Sequence, residues 1–158
     1  MHVNVFCYGT LRTDPRVTEI MDCSDAELSG YGQLDMQLHW DPDAEIVGKL
    51  GGWRLDNRSI FCDGKAGDGV PAVTSYDTDN CVIGDLYRVT LTGFARILKY
   101  EGWPSLYDYE VLHVYSTGKV SVIEDAVVFT TFLADQFGRP LPHGDYFAPR
   151  DQEVKCAE

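Results

Sequence analysis

A carboxylate that continues an apolar helix stripe is placed to shuttle protons, and Glu101 stands in such a position. Leu91, Phe94, Ala95, Ile97 and Leu98 recur at helical spacing and mark one apolar face. Thr90 is suited to cap the start of this helix, and Gly102 and Pro104 end it. Glu101 comes seven residues after Phe94, four after Ile97 and three after Leu98. It therefore extends the apolar stripe. Burial disfavours a charged carboxylate, and the negative end of the helix dipole acts in the same direction. Both effects move the pKa towards neutrality, where the group can take a proton and return it. The same geometry also admits a glutamate that reaches water from a frayed last turn, as most glutamates do.

A second feature lies near the start of the chain. Val3 to Tyr8 is a short apolar, β-prone run that ends at Gly9-Thr10. Glycine permits a sharp turn whose backbone N–H groups converge on one point, a nest able to hold a carboxylate or phosphate. Thr10 adds a hydroxyl and Arg12 a positive charge. A purely structural strand-to-loop turn would read the same way. The phosphate-loop pattern G-x-x-x-x-G-K-[ST] is absent, as is the G-x-S-x-G elbow of serine hydrolases. His113 and His143 lack the spaced partners of a metal site, and no metal or cofactor is expected. The five cysteines show no C-x-x-C pair, so neither a disulfide framework nor a zinc knuckle is expected. Cys7 and Cys81 lie in apolar runs and read as packing residues.

The elements that must position these residues are mostly strands. Beyond the first run, the pattern predicts strands over 72–76, 81–89, 111–115 and 126–133. It predicts the helix over 91–101 and a shorter one over 14–28, with Pro15 at its first turn. Residues 30–52 read as irregular, and 64–69 as a loop rich in glycine and aspartate. From about residue 138 the chain carries Pro140, Pro142 and Pro149 and reads as mostly loop. Strands outnumber helices without regular alternation. The expectation is an α+β domain spanning 1–158, built on a small mixed, mostly antiparallel β-barrel with flanking helices.

Composition narrows the partners. A net charge of −12 repels phosphate backbones and argues against nucleic acid. No apolar run is long enough to span a bilayer, and the start does not read as a signal peptide, so a cytoplasmic, membrane-free protein is expected.

Taken in order, several segments resemble the gamma-glutamylcyclotransferase superfamily, which includes AIG2-like proteins and gamma-glutamylamine cyclotransferases. Val5-Phe6-Cys7-Tyr8-Gly9-Thr10-Leu11-Arg12 resembles its opening strand and Y-G-[ST]-L turn. Val70-Pro71-Ala72-Val73 resembles its Y-P-A-[VL] segment, and Val82 to Tyr87 its V-x-G-x-[LV]-Y strand. Ile97 to Gly102 resembles the L-D-x-x-E-G helix end, whose glutamate is the family's catalytic residue. Ala126 to Phe129 resembles a late A-x-[VT]-Y strand, and Gly144-Asp145-Tyr146 a G-D-W ending. Two positions depart from the pattern: Leu98 replaces its aspartate, and Tyr109 replaces the arginine of Y-x-R.

The resemblance implies cyclisation of a gamma-glutamyl group to 5-oxoproline with release of an amine or amino acid. No cofactor takes part. It assigns Glu101 as general acid and base, and Gly9, Thr10 and Leu11 as substrate-binding residues. Tyr8 and Tyr107 are further candidate contacts, with core packing the alternative for each. Trp103 either walls the pocket or anchors the helix end. The implied partner is a small gamma-glutamyl substrate, and the implied state a monomer or homodimer. Two alternatives remain open: another acyl or amine cleavage or transfer on the same scaffold, or a non-catalytic module that binds a ligand or a protein.

Overall fold

The structure is a computed structural model that describes residues 1–9, 45–49, 51–64, 69–118, 120–141 and 143–148. Strand β1 (His2–Cys7) buries Val5, Phe6 and Cys7 in succession. Consecutive burial in a strand means that both of its faces are covered. Phe6 joins one core cluster with Leu55, Val82, Leu86 and Val128, while Val5 and Cys7 join a second with Tyr87, Val89 and Ile97.

Three strands follow: β2 (Glu45–Val47), β3 (Trp53–Asp56) and β4 (Ile60–Cys62). Next come β5 (Ala72–Thr74), the long β6 (Cys81–Thr90) and helix α1 (Leu91–Tyr100). The chain continues through β7 (Asp108–Ser116), β8 (Ile123–Thr131), a 3-10 turn (Ala134–Phe137) and β9 (Arg139–Pro140). Neighbours run β1-β6-β3-β7-β8-β5-β4-β9, with β2 beside β6. A further parallel contact joins β1 to β8 at Val5 and Val127. The path β1-β6-β3-β7-β8 thus returns to β1 and closes a ring. Strand β5 pairs in parallel with the far end of β8, at Thr130 and Thr131; the other pairs are antiparallel. The α+β, mixed and mostly antiparallel class predicted from sequence is the one observed.

Strands β2 and β3 lie along the same edge of β6, interrupted opposite Asp85. Val47 pairs with Leu86 and Trp53 with Gly84, so Gly48, Lys49, Gly51 and Gly52 bulge out between them. Gly48 and Gly51 turn this bulge at φ 75° and 65°, values that a side chain would strain. Asp85 is fully buried and its carboxylate accepts the N–H of Gly51. A second polar tie fastens β8. The Arg58 guanidinium donates to the Thr74 carbonyl at 3.0 Å and to Glu110 at 2.8 Å, and Glu110 accepts the Thr130 hydroxyl at 3.0 Å.

Several expectations change in detail. The region taken as irregular before residue 52 contains β2, and β3 and β4 were not anticipated at all. These strands have only three or four residues, too few for a two-residue period to declare itself. The segment after residue 138 is less loose than its prolines suggest: Leu141, His143 and Tyr146 are buried there. Cys81 is buried and also disulfide-bonded, its partner lying outside the described residues, whereas Cys7 and Cys62 are free thiols. Its spacing carried no sign of a bridge. The helix predicted over 14–28 falls outside the described residues.

The contact of β1 with β6 depends on one missing side chain. A Cβ at Gly84 would lie 2.5 Å from the Cys7 carbonyl oxygen and 2.7 Å from the Phe6 ring. We expect Gly84→Ala to destabilise the protein by about 1–3 kcal/mol, the usual cost of overpacking a filled core. Urea denaturation midpoints would measure it, and an unchanged midpoint would show that the two strands can separate freely.

Candidate active site

Helix α1 is built to deliver its last residue inward. The Thr90 hydroxyl accepts the Gly93 N–H at 3.0 Å and caps the start. Gly93 and Ile97 are buried, Phe94 and Leu98 partly so, and Leu91 and Ala95 are exposed. The buried stripe is therefore narrower than the apolar spacing implied. Leu91 sits at the first turn and is 52% exposed. Glu101 follows Ile97 by one helical turn and caps the C-terminus, its N–H bonded to the Ile97 carbonyl at 2.8 Å. Gly102 then takes φ 69°. The N–H groups of Gly102 and Trp103 return to the carbonyls of Lys99 and Leu98, at 3.1 and 3.0 Å. That reversed pair of bonds is the Schellman ending, which needs a left-handed residue and so favours glycine. It fixes the direction in which Glu101 leaves the helix.

Burial pushes the Glu101 carboxyl up to about 7. The residue as a whole is half-buried, between the two positions the sequence left open, with its carboxyl on the desolvated side. The Cys7 thiol, at the end of β1, is pushed up by burial first and then by the Asp85 and Glu101 carboxylates. The Tyr8 hydroxyl is raised by burial, by Tyr107 and by Glu101, with an opposing contribution from the Val73 backbone. Glu101 thus lies within electrostatic reach of the residues that precede the Gly9 turn. The helix end and the first bend share one side of the molecule.

The tyrosines tie the same region to the sheet. Tyr8 donates its O–H to the Phe129 carbonyl of β8 at 2.6 Å. Tyr107 donates to the Pro71 carbonyl, just before β5, at 2.5 Å, and its ring stacks on Phe137 at 5.8 Å. Pro71 also packs directly under Gly9, where an added Cβ would collide with its ring. Gly9 is therefore required for close approach. Tyr8, Gly9, Glu101 and Tyr107 are brought together; Thr10 and Leu11 lie outside the described residues. Since both phenolic protons are engaged by carbonyls, neither tyrosine has a free proton to offer an incoming oxyanion.

Asp85 and Pro71 were not singled out as site neighbours from sequence, and Cys7 was read only as core. Cys7 stands directly opposite Asp85 across β1 and β6. The strand period places Val5 and Cys7 on one face, but the identity of the facing strand cannot be read from that period. His113 pairs with Asp125 across β7 and β8, Nδ1 to Oδ1 at 2.5 Å, in an exposed position. Among the described residues no group of three or more His, Cys, Asp or Glu side chains is placed to share a metal ion. No described helix is long and apolar enough to cross a membrane.

Comparison with known proteins bears on the family and the fold. A family model described as gamma-glutamyl cyclotransferase, AIG2-like, matches residues 5–148. The chain belongs to the AIG2-like gamma-glutamyl cyclotransferase family. Among solved structures it is similar to an AIG2-like protein from Mus musculus, with 20% identity and a TM-score of 0.57 over 96% of this chain and 99% of the other. It is similar to an uncharacterised protein from Pyrococcus horikoshii, with 15% identity and a TM-score of 0.53 over 91% and 89%. It also resembles a structure named gamma-glutamyl cyclotransferase, with 12% identity and a TM-score of 0.54 over 83% and 67%. At these identities the likeness speaks for the fold. A search of curated protein sequences returns no match.

The two residues that depart from the resembled motifs, Leu98 and Tyr109, are apolar and aromatic. Leu98 packs against the second core cluster, as does Tyr109. The Tyr109 ring lies 5.9 Å from Phe94, 6.0 Å from Trp103 and 6.1 Å from Phe129.

A buried carboxyl raised to about 7 also has a consequence for stability. The folded protein holds this proton more tightly than the unfolded chain, so protonated Glu101 contributes its full stabilisation below about 4.5. That contribution drains away as the pH rises through about 7. Glu101→Gln removes the titration. Its stability relative to the unsubstituted protein should rise by up to about 3 kcal/mol between pH 4 and pH 8, at 1.36 kcal/mol per unit. Urea unfolding across that range checks this, and a difference that does not vary with pH would place the carboxylate in water.

Proposed function

We propose that this protein cyclises a gamma-glutamyl group to 5-oxoproline and releases an amine or amino acid, with Glu101 as the single acid and base. The observation that carries the reading is the inward Glu101 carboxyl, raised to about 7 beside the bend that follows β1. Family membership supports the substrate class.

The chemistry balances with two protons that pass in turn through one carboxylate. Ionised Glu101 takes a proton from the substrate's α-ammonium. The freed amine attacks the gamma-carbonyl carbon, forming the C–N bond of a five-membered ring and an oxyanion. Protonated Glu101 then gives its proton to the leaving nitrogen as that C–N bond breaks; the regenerated carboxylate takes the second proton from the ring nitrogen and passes it to the released amine, which leaves as an ammonium. The carboxylate ends as it began, so no second acid is required. A group whose pKa lies near neutrality suits both halves, being neither too weak a base nor too weak an acid.

The remaining requirements concern geometry. Ring closure needs the chain curled so that amine and carbonyl stand within attack distance. The turn at Gly9, Thr10 and Leu11 would hold the gamma-glutamyl end through its backbone N–H groups. Donors for the oxyanion would also come from backbone amides, because the phenolic protons of Tyr8 and Tyr107 are already engaged. Those tyrosines instead hold the Phe129 and Pro71 backbone in place.

Incubation with gamma-glutamyl amino acids and with gamma-glutamyl-lysine should release 5-oxoproline, measured by chromatography. The rate should rise with pH towards a plateau above about 7, as Glu101 ionises. Glu101→Gln should lower kcat at least about a hundredfold, within the usual range for loss of a general base, while the far-UV circular dichroism stays unchanged. Full activity in Glu101→Gln would remove the proposed mechanism. A panel that gives no 5-oxoproline, with Glu101→Gln still abolishing some other turnover, would favour different chemistry on this scaffold.

A further inference from the structure

Two strands that lie side by side at one end separate at the other. Strand β3 pairs with β7 only at Trp53 with Ser116 and at Arg54 with Tyr115. Leu55 and Asp56 stay paired with β6. Asn57, at φ 61°, then turns the chain away from the line of β7. Strand β7 runs on without a bulge beside β8, from Tyr115 back to Asp108. Two bonds fix the direction of its backbone groups. The Ser116 N–H goes to the Val122 carbonyl on the β8 side, and the Thr117 N–H to the Gly52 carbonyl on the β3 side. Alternation therefore turns the N–H and C=O of Val111 and His113 towards the side that β3 has left. Among the described residues no strand pairs with them there. Val111 is 63% exposed, although its register partner Val127 is buried.

An unpaired strand edge is a template for another strand. A cleft of about 180 Å³ opens where β3 and β7 part, lined by Leu55, Asp56, Asp77, Leu112, His113 and Tyr115 among others. That is smaller than the roughly 300 Å³ at which small-molecule sites begin, and suits a single long side chain. The neighbouring charges select which one. The Arg54 and Arg58 guanidiniums are already turned to Asp56 and Glu110, at 2.6 and 2.8 Å. The Asp77 side chain is 85% exposed and meets Arg58 through one oxygen, at 3.4 Å. At the other end of the edge, exposed Asp108 accepts the Tyr109 and Trp103 N–H groups through one oxygen, at 2.8 and 3.4 Å. Among the described residues, the second oxygen of each carboxylate is left to meet an incoming cation. A second copy of this chain, with its net charge of −12, would instead bring Asp77 and Asp108 against like charges.

We propose that the open edge of β7 binds an extended, lysine- or arginine-bearing segment of another protein. The segment pairs as a strand with Val111 and His113. It sets one cationic side chain in the cleft against Asp77 and another against Asp108. In such strand addition the backbone bonds give affinity and the side chains give selectivity. None of these residues takes part in the proposed cyclisation, so the two readings fail independently.

A fluorescein-labelled heptapeptide of alternating valine and lysine would be titrated with the full chain and followed by anisotropy, beside one of alternating valine and glutamate. The lysine peptide should bind and the glutamate peptide should not. Amide hydrogen exchange at Val111 and His113 should slow on binding, while that of β1 stays unchanged. Asp77→Asn, at an exposed position, should weaken binding about two- to fivefold, the usual worth of a surface ion pair. N-methylation of the peptide, on its valines or on its lysines, leaves the protein untouched. It should abolish binding in at least one case, because alternate N–H groups face β7. Absence of binding by the lysine peptide, equal binding of the two peptides, binding that survives both N-methylations, or unslowed exchange at Val111 and His113 would overturn the proposal. Slow exchange at those two amides without peptide, together with a dimer in sedimentation, would assign the edge to a second copy and overturn it as well.

Discussion

Holding one carboxyl group out of water, at the end of a helix, is the constraint around which the rest of this structure is arranged. Buried charge is costly, and the cost appears as a pKa raised to about 7. A frayed helix end would relieve it by letting the glutamate swing outward. The Schellman ending at Gly102 and the buried Ile97 one turn earlier prevent that. The left-handed glycine and the anchoring isoleucine are therefore as much part of the site as the carboxylate itself.

The sheet supplies the other wall. The parallel contact of Val5 with Val127 closes five strands into a ring and brings the end of β1 beside β8. Without it, Tyr8 could not reach the Phe129 carbonyl. The segment before β5 then arrives under Gly9 through Pro71, and Tyr107 fastens that segment from the far side. Each of these links joins residues distant in the chain. Together they turn a strand end and a helix end into facing surfaces. The price is carried by glycine: Gly9 and Gly84 have no room for a Cβ.

Much of this was legible in the residues themselves. β1, β6 and α1 each have a period strong enough to declare a strand or a helix, and a glycine marks the end of two of them. The spacing of Glu101 from Ile97 and Leu98 pointed to burial, and the residue is half-buried with its carboxyl raised by desolvation. The weak points were equally physical. Strands β2, β3 and β4 are held by neighbours rather than by their own pattern, because three or four residues offer too few alternations to recognise. The bulge at Gly48 and Gly51 is tied to Asp85, whose partner is a backbone N–H and so leaves no trace in residue type. The bond of Cys81 was hidden for a related reason, since spacing alone does not say which sulfurs meet.

The residues alone determined local matters: where the helix ends, which glycine permits it, and that an acidic side chain continues its apolar stripe. These follow from short-range sterics and from periodicity, which each segment carries within itself. Only the folded chain decided that Cys7, Tyr8 and Gly9 lie beside Glu101, with Asp85 behind Cys7 and Pro71 beneath the glycine. Such neighbours arise from strand pairing and ring closure between segments dozens of residues apart. Many partners satisfy the same hydrogen-bonding and packing demands, so the choice among them belongs to the tertiary structure as a whole.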